Sequence, residues 1–165
     1  MQKVILLPRL EQYKRCLFTR RLVTINQSFV PIRDEKGERA RGVLWHEGIC
    51  GRNYEDVASS FYKSIALPEN GHIKKWTMWL DNCSGQNKCW TLYTMMVDRK
   101  EIGVQSIKLK YFTAGHTFMS ADNFHKRVEK EMKEMNNVYD FHDFRRCDSV
   151  AGDVTLMNVS DFFNF

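Results

Sequence analysis

Apolar runs near the start of the chain predict three consecutive β-strands. The first covers Gln2–Leu7, where four apolar residues in succession precede Pro8. The second covers Leu17–Val30, which mixes β-branched and aromatic residues with arginines. A charged, glycine-containing turn over 31–40 leads to the third strand, Arg41–Ile49. Because the connections are short, the three strands are expected to form an antiparallel meander.

Helices and strands alternate after the meander. Asn53 is a candidate N-cap for a helix over Tyr54–Leu67, whose apolar residues recur at helical spacing. The elements predicted next are the strand Trp76–Leu80, the helix Gln86–Lys100, the strand Ser106–Phe112 and the helix Ala121–Met135. In the second of these strands apolar residues alternate with Lys108 and Lys110, which is typical of an edge strand with one solvent-exposed face.

The resulting order, β-β-β-α-β-α-β-α, is that of the ribonuclease H-like fold. We therefore predict an α/β protein with a five-stranded mixed sheet, of order 3-2-1-4-5, flanked by helices. Residues 1–135 would form this core. Residues 136–165 are less regular and would form a C-terminal extension packed on it, with one late strand over Asp153–Asn158.

The fourth predicted strand ends in a carboxylate, Asp81. Trp76–Leu80 is almost wholly apolar, which predicts a strand buried on both faces of the sheet. Sites in open α/β sheets form just beyond the carboxyl ends of central strands, so Asp81 is a candidate metal ligand or acid/base group. The residues alone favour equally a simpler interpretation, in which Asp81 caps the helix that follows.

Composition and charge narrow the class of protein. A hydrophobic fraction of 43% over 165 residues indicates a packed globular chain, and no apolar run is long enough to span a membrane. Residues 136–165 carry −3 of the net charge of +5, so residues 1–135 carry +8, which suits a polyanionic partner such as nucleic acid. Five scattered cysteines without a CxxC pair favour a reducing, intracellular compartment and suggest that most are small core residues.

Several long strings of the chain resemble an uncharacterised transposase-like family of animal transposable-element-derived proteins. The most specific are WLDNCSGQNKCWTLYT and KLKYFTAGHTFMSADNFHKRVEKEMK, which contain the pairing of DNCSGQNK with GHTFMSADxxH. NVYDF, MQKVILLPRL, FTRRLVTINQSF and LWHEGICGRNYEDVASSF extend the likeness over nearly the whole chain. The resemblance implies a DDE-type core, in which acidic residues hold Mg²⁺ or Mn²⁺ for phosphodiester cleavage or strand transfer on DNA. It also implies a nuclear location.

The resemblance assigns roles to individual residues. Asp81 would be the second acid and Asp122 the third, both catalytic and both ligands of the metal. Asn82 stands beside Asp81 in the motif. His116 and His125 would hold a phosphate or orient Asp122.

The first acid of such a core is missing from the chain. Relatives carry an aspartate immediately before the residue that corresponds to Gln2, where this chain has Met1. Glu47, at the end of the third strand, is a weaker candidate ligand. Losing one carboxylate removes most of the metal binding, so we expect the chain as written to be inactive. The alternative is a domesticated or remnant module that binds nucleic acid or protein without catalysis.

Other features leave further interpretations open. Cys83 and His116 are a conceivable thiol and base, although a buried or turn cysteine is the ordinary case. Residues 84–88 fit either a phosphate-binding helix start or a plain N-cap. Lys88, Lys108 and Lys110 are candidate nucleic-acid contacts, although the last two also suit an edge-protecting face. The four tryptophans are expected in the core, unless one exposed near Asp81 stacks on a base. The sequence does not indicate an oligomeric state.

Overall fold

The computed structural model describes residues 1–32, 39–83, 87–97, 103–113 and 120–164. Within these ranges the chain is mixed α/β, with four α-helices and a mixed sheet of four strands. It divides into two compact units. Unit 1 comprises Met1–Gly51 and Met119–Met157, and unit 2 comprises Arg52–Phe118 and Asn158–Phe165. None of the helices described in these ranges is long and apolar enough to cross a membrane.

The elements alternate much as the sequence predicts. In chain order they are β1 (Gln2–Leu7), β2 (Arg9–Leu10), β3 (Leu22–Phe29), β4 (Arg41–His46), α1 (Tyr54–Ile65), β5 (Lys75–Leu80), α2 (Trp90–Val97), β6 (Ser106–Tyr111), α3 (Ser120–Glu134), β7 (Asn137–Val138), α4 (Phe141–Ala151) and β8 (Asp153–Leu156). Short 3₁₀ turns cover Lys14–Phe18, Pro68–Asn70 and Val159–Asp161.

The main sheet of unit 1 contains the predicted antiparallel meander. β1 pairs with β3 and β3 with β4, so that Ile25 lies opposite both Val4 and Trp45. The predicted second strand was too long at its start. Thr19 Oγ1 donates a hydrogen bond to the carbonyl of Cys16 at 2.9 Å, which closes the 3₁₀ turn, and β3 begins only at Leu22.

The C-terminal part of unit 1 is more regular than the sequence suggested. β8 pairs in parallel with β4, with Leu156 opposite Leu44, which gives the sheet order β1-β3-β4-β8. The middle of β4 is buried. Buried backbone N–H and C=O groups need hydrogen-bond partners, and β8 supplies them along this edge of β4. The predicted boundary after residue 135 therefore falls within unit 1.

Helices α3 and α4 pack together and form the core of unit 1 with this sheet. The helical spacing of Phe124, Val128, Met132 and Met135 predicts an apolar stripe on α3; the first three are buried, and Met135 packs partly buried against the same core. The sequence prediction missed α4. It begins at the N-cap Asp140, whose side chain accepts a hydrogen bond from the backbone N–H of Asp143 at 2.9 Å.

Unit 2 contains the predicted helix and the two predicted parallel strands. Helix α1 starts with a capping box, in which Asn53 and Asp56 exchange two hydrogen bonds of 2.9 Å, and this confirms the predicted N-cap. β5 and β6 pair in parallel, and α2 lies between them in sequence, as a parallel connection requires. α2 is described over Trp90–Val97, and the predicted ends of this helix, Gln86 and Lys100, lie outside the described residues.

Two predictions about burial were wrong. β5 is not buried on both faces, because Lys75, Thr77 and Trp79 are exposed. Exposed and less exposed side chains alternate along β5. The sequence does not show this alternation, because Trp79 is an apolar residue on the exposed face. Most cysteines are not core residues either. Cys147 is buried, Cys83 is exposed, and Cys16, Cys50 and Cys89 are half-buried.

The predicted five-stranded sheet corresponds to two described sheets. The order 3-2-1 is present as β4-β3-β1, and the parallel pair 4-5 is present as β5-β6. A pairing between β1 and β5, which would join them, is not among the strand pairs in the described ranges.

Candidate functional site

The Asp81 carboxylate lies directly after β5, at the predicted position. Its Oδ1 accepts hydrogen bonds from the backbone N–H of Cys83 at 3.1 Å and from the side-chain amide of Asn87 at 2.5 Å. Both bonds hold the turn that follows the strand, as Asp side chains commonly do. The described contacts therefore place the Asp81 side chain in a turn and leave Oδ2 as the oxygen that a cation would take, and both the capping and the metal-ligand interpretations stay predictions.

The residues after Asp81 add one further oxygen. Asn82 Oδ1 is a buried atom without a hydrogen-bond partner in the part of the chain that the structure describes. Residues 84–86 and His116 lie outside the described residues, so the phosphate-loop hypothesis and the pairing of Cys83 with His116 stay predictions. Cys83 itself is exposed.

Asp122 and His125 lie in the first two turns of α3, in unit 1. His125 is 2% exposed, and its Nε2 lies 3.0 Å from Ser28 Oγ on β3. Burial, together with the N-terminal amino group and Lys3, lowers the pKa of His125 to about 4. His125 is therefore a neutral, hydrogen-bonded core histidine at pH 7, and its proposed role beside Asp122 or a phosphate stays a prediction.

The start of β1 belongs to the same cluster. The backbone of Met1 exchanges hydrogen bonds with Ser28, from the Ser28 N–H to the Met1 carbonyl at 2.8 Å and from the Met1 amino group to the Ser28 carbonyl at 3.0 Å. The Met1 backbone is also hydrogen-bonded to His125. Met1 stands where the resemblance expects the first acid. It lies beside His125, which is one helical turn from Asp122, the third acid that the resemblance expects.

Glu47 lies at the other end of this sheet. Its Oε1 accepts a hydrogen bond from the backbone N–H of Val23 at 3.1 Å, and its own N–H donates to the Val23 carbonyl at 2.9 Å. Val23 and Ser28 are separated by five residues of extended strand, or about 16 Å. Glu47 therefore extends the β3–β4 ladder and is too far from His125 to share a metal ion with it.

The described residues do not by themselves complete a metal centre. Asp81 and Asn82 belong to unit 2, whereas Asp122 belongs to unit 1. No group of three His, Cys, Asp or Glu side chains in the described ranges is arranged to hold a metal ion. Mg²⁺ and Mn²⁺ require several converging oxygen ligands, and the described residues do not supply such a set.

The candidate nucleic-acid lysines lie on two different sides of the β5–β6 sheet. Lys108 and Lys110 are exposed on one face, where the Nζ of Lys110 lies 4.7 Å from the centre of the Trp79 ring. Lys88 lies instead 5.0 Å from the ring centre of Tyr111, whose side chain points to the opposite face. Only Lys108 and Lys110 therefore share a surface.

The expectation for the tryptophans holds in one case and fails in two. Trp45 is buried, but Trp79 is 40% and Trp90 is 84% exposed. Trp79 lies two residues before Asp81, and its ring is 5.1 Å from that of Phe112. The exception that the sequence left open, an exposed tryptophan near Asp81, is therefore realised at Trp79.

A buried polar pair in unit 1 was missed by the sequence prediction. Asp148 on α4 accepts a hydrogen bond from the side-chain amide of Asn26 on β3, and both residues are fully buried. Burial raises the pKa of Asp148 to about 7. A Cβ at Gly42 would overlap Asp148 Oδ2, so only glycine leaves room for this carboxyl group.

A signal for this pair exists in the sequence. Phe144, Cys147, Asp148 and Ala151 fall at i, i+3, i+4 and i+7, which is the spacing of one helix face, and all four are buried. Recognising that face would have placed a carboxyl group in the core, where it must be hydrogen-bonded or protonated.

Comparison of the chain with protein-family models, with curated protein sequences and with solved structures finds no match.

Proposed function

We propose that this chain is a ribonuclease H-like domain related to DDE transposase and integrase cores, and that it binds nucleic acid without cleaving it. The observation that carries the proposal is the order and pairing of the strands. Three antiparallel strands are followed by a helix and by two parallel strands with a helix between them, and α3 comes next. The predicted acids follow the first parallel strand and open that last helix.

The proposal includes the five-stranded sheet of order 3-2-1-4-5, in which β5 lies beside β1. β1 is the terminal strand of its described sheet, and β5 pairs with β6 along one edge. Both observations are compatible with this order. Backbone nuclear Overhauser effects between residues 2–7 and 75–80 are expected in a labelled sample. If β1 and β5 give none, while the β1–β3 pairing is observed, the proposed sheet is wrong.

The proposed absence of cleavage rests on the acids at the positions that the resemblance assigns to the catalytic centre. A DDE-type centre needs three carboxylates, and β1 holds none in Gln2–Leu7. Asp81 and Asp122 alone are too few oxygen ligands for Mg²⁺ or Mn²⁺ to act on a phosphodiester. The partner that we propose is DNA, in an intracellular and nuclear setting, and the basic charge of residues 1–135 suits it.

A nuclease assay tests this function. The purified chain is incubated with labelled single- and double-stranded DNA in Mg²⁺, in Mn²⁺ and in EDTA, and nucleic-acid binding is measured on the same samples. We expect binding without cleavage in all three. Metal-dependent cleavage that Asp81→Ala abolishes, and that Asp161→Ala leaves intact, would show that the chain is an active enzyme.

A further inference from the structure

The two parallel strands of unit 2 expose one continuous basic face. Side chains alternate along β5 and β6, and the register places Thr77 beside Lys108 and Trp79 beside Lys110. The exposed residues of these strands, called the outer face below, are Lys75, Thr77, Trp79, Ser106, Lys108 and Lys110. The outer face thus carries three lysines and no carboxylate, and a surface of this charge is complementary to a polyanion.

The outer face also carries an exposed aromatic ring. Trp79 keeps 40% of its surface exposed, although tryptophan is among the side chains that gain most from burial. Phe112 supports its ring at 5.1 Å with an interplanar angle of 38°, and the Lys110 ammonium lies 4.7 Å from the ring centre. The indole is therefore held on the sheet by Phe112 and by the Lys110 ammonium that lies over its ring, and binding of Lys110 to a phosphate would uncover that ring face for a base.

The opposite face of the same strands is the one that packs within unit 2. The Tyr111 hydroxyl contacts the Tyr93 hydroxyl on α2 at 3.2 Å and donates to the Asn87 carbonyl at 2.8 Å. Leu80 is buried on this side. Because packing uses that face, the lysines and Trp79 on the outer face are not required to hold unit 2 together.

We propose that the outer face binds single-stranded nucleic acid, with an unpaired base stacked on Trp79 and phosphates bound by Lys75, Lys108 and Lys110. Bases in a duplex are stacked on one another, so their ring faces are not accessible to an indole on the surface of a sheet. Every base has such a ring face, so this binding is independent of sequence. The inference rests on the proposed function in taking nucleic acid as the partner, and it needs no metal.

Other occupants fit the outer face less well. A second copy of the chain that docked through its own outer face would bring three lysines against three lysines, which is repulsive. An acidic peptide without aromatic residues would satisfy the lysines and would offer no ring to stack on the exposed part of the indole. Single-stranded nucleic acid supplies both phosphates for the lysines and unpaired ring faces for the indole.

Fluorescence anisotropy with labelled twelve-nucleotide dT and U oligonucleotides in EDTA tests the inference. Trp79→Ala is expected to raise Kd about 5- to 150-fold, and Trp79→Phe, which keeps a ring, far less. Trp90→Ala removes a more exposed tryptophan from α2, away from the outer face, and is expected to leave Kd unchanged. The dT and U arms show whether DNA or RNA is preferred.

The salt dependence tests the lysines separately. For single strands, log K falls with log salt by about 0.7 for each phosphate contact, so Lys108→Gln with Lys110→Gln should reduce the slope by about 1.4. Lys133→Gln, which changes an exposed lysine on α3 that is not part of the outer face, should leave the slope unchanged.

Each result decides the inference in one direction. If the oligonucleotide binds and both Trp79→Ala and the double lysine variant bind like the wild type, the outer face is not the site, while the proposed function survives. If no nucleic acid binds, both fail. An unlabelled duplex, or poly-glutamate, that displaces the oligonucleotide as well as a single strand does would also overturn the inference.

Discussion

The buried carboxyl group of Asp148 is expected to make the stability of unit 1 depend on pH. Burial raises its pKa from 3.8 to about 7, although the hydrogen bond from Asn26 acts in the opposite direction. Between these values the folded chain keeps the proton and the unfolded chain releases it. The stabilisation is therefore complete below about pH 4 and is lost as the pH rises to about 7, at about 1.4 kcal/mol per pH unit and about 4 kcal/mol in all.

His125 acts in the opposite direction. Burial, the N-terminal amino group and Lys3 lower its pKa from 6.5 to about 4, against weaker opposing effects of the Met1 backbone and Asp122. Between about pH 4 and pH 6.5 the unfolded chain binds a proton at His125 that the folded chain does not bind. Its stabilisation is complete above about pH 6.5 and decreases by about 3 kcal/mol as the pH falls to 4. Between about pH 4 and 6.5 the two effects cancel, so their combined contribution to the wild-type profile is nearly flat.

Two substitutions separate the effects. Asp148→Asn is expected to reveal the histidine, so that the free energy of unfolding falls by about 3 kcal/mol from pH 6.5 to 4. His125→Gln is expected to reveal the carboxyl group, so that this free energy falls by about 4 kcal/mol from pH 4 to 7. Urea unfolding followed by circular dichroism at several pH values measures both profiles.

Glu129→Gln, an exposed change on α3, serves as the control and should follow the wild type. If Asp148→Asn gives a profile parallel to that of the wild type, the carboxyl group is ionised in the folded chain and the reasoning is refuted. A carbon-13 titration of the Asp148 side chain measures its pKa directly.

Three further outcomes are expected. Gly42→Ala should lower the free energy of unfolding by about 1–3 kcal/mol, because the added Cβ would collide with the buried Asp148 carboxyl group. A urea titration measures this, and an unchanged unfolding midpoint would contradict the packing. Asn53→Ala should cost about 1 kcal/mol in thermal unfolding, because it removes the capping box of α1, and a loss below measurement error would argue against that cap. Iodoacetamide at pH 8 should modify exposed Cys83 early and Cys147 last, because burial raises the pKa of the Cys147 thiol to about 11. Peptide mass spectrometry measures the order of modification, and the reverse order would contradict the described burial.

The candidate site could be predicted only in part from the sequence. The position of Asp81 after a strand and of Asp122 at a helix start follows from local pattern, because both depend on neighbours in the chain. Burial of His125 against Ser28 does not follow, since the two residues are 97 positions apart and meet only when α3 packs on β3. Likewise, the sequence allowed Glu47 as a ligand, and only the strand pairing shows that it lies at the far end of β3.

The exposed surface of unit 2 shows the same limit. Alternation predicted that Lys108 and Lys110 would face solvent, and this is confirmed. The exposure of Trp79 could not be read from an apolar run, because an apolar residue on the outer face has the same hydrophobicity as one in the core. Strand register and packing on one face decide between them.

The sequence by itself determined the order of most elements, the antiparallel meander, the cap of α1 and the apolar stripe of α3, all of which depend on residues close in the chain. Tertiary structure decided the rest. It added β8 to the sheet, placed Asp148 beside Asn26 and left Trp79 exposed beside Lys110. These outcomes depend on which distant segments cover one another, and burial, register and hydrogen-bond partners across such distances are not encoded in local periodicity.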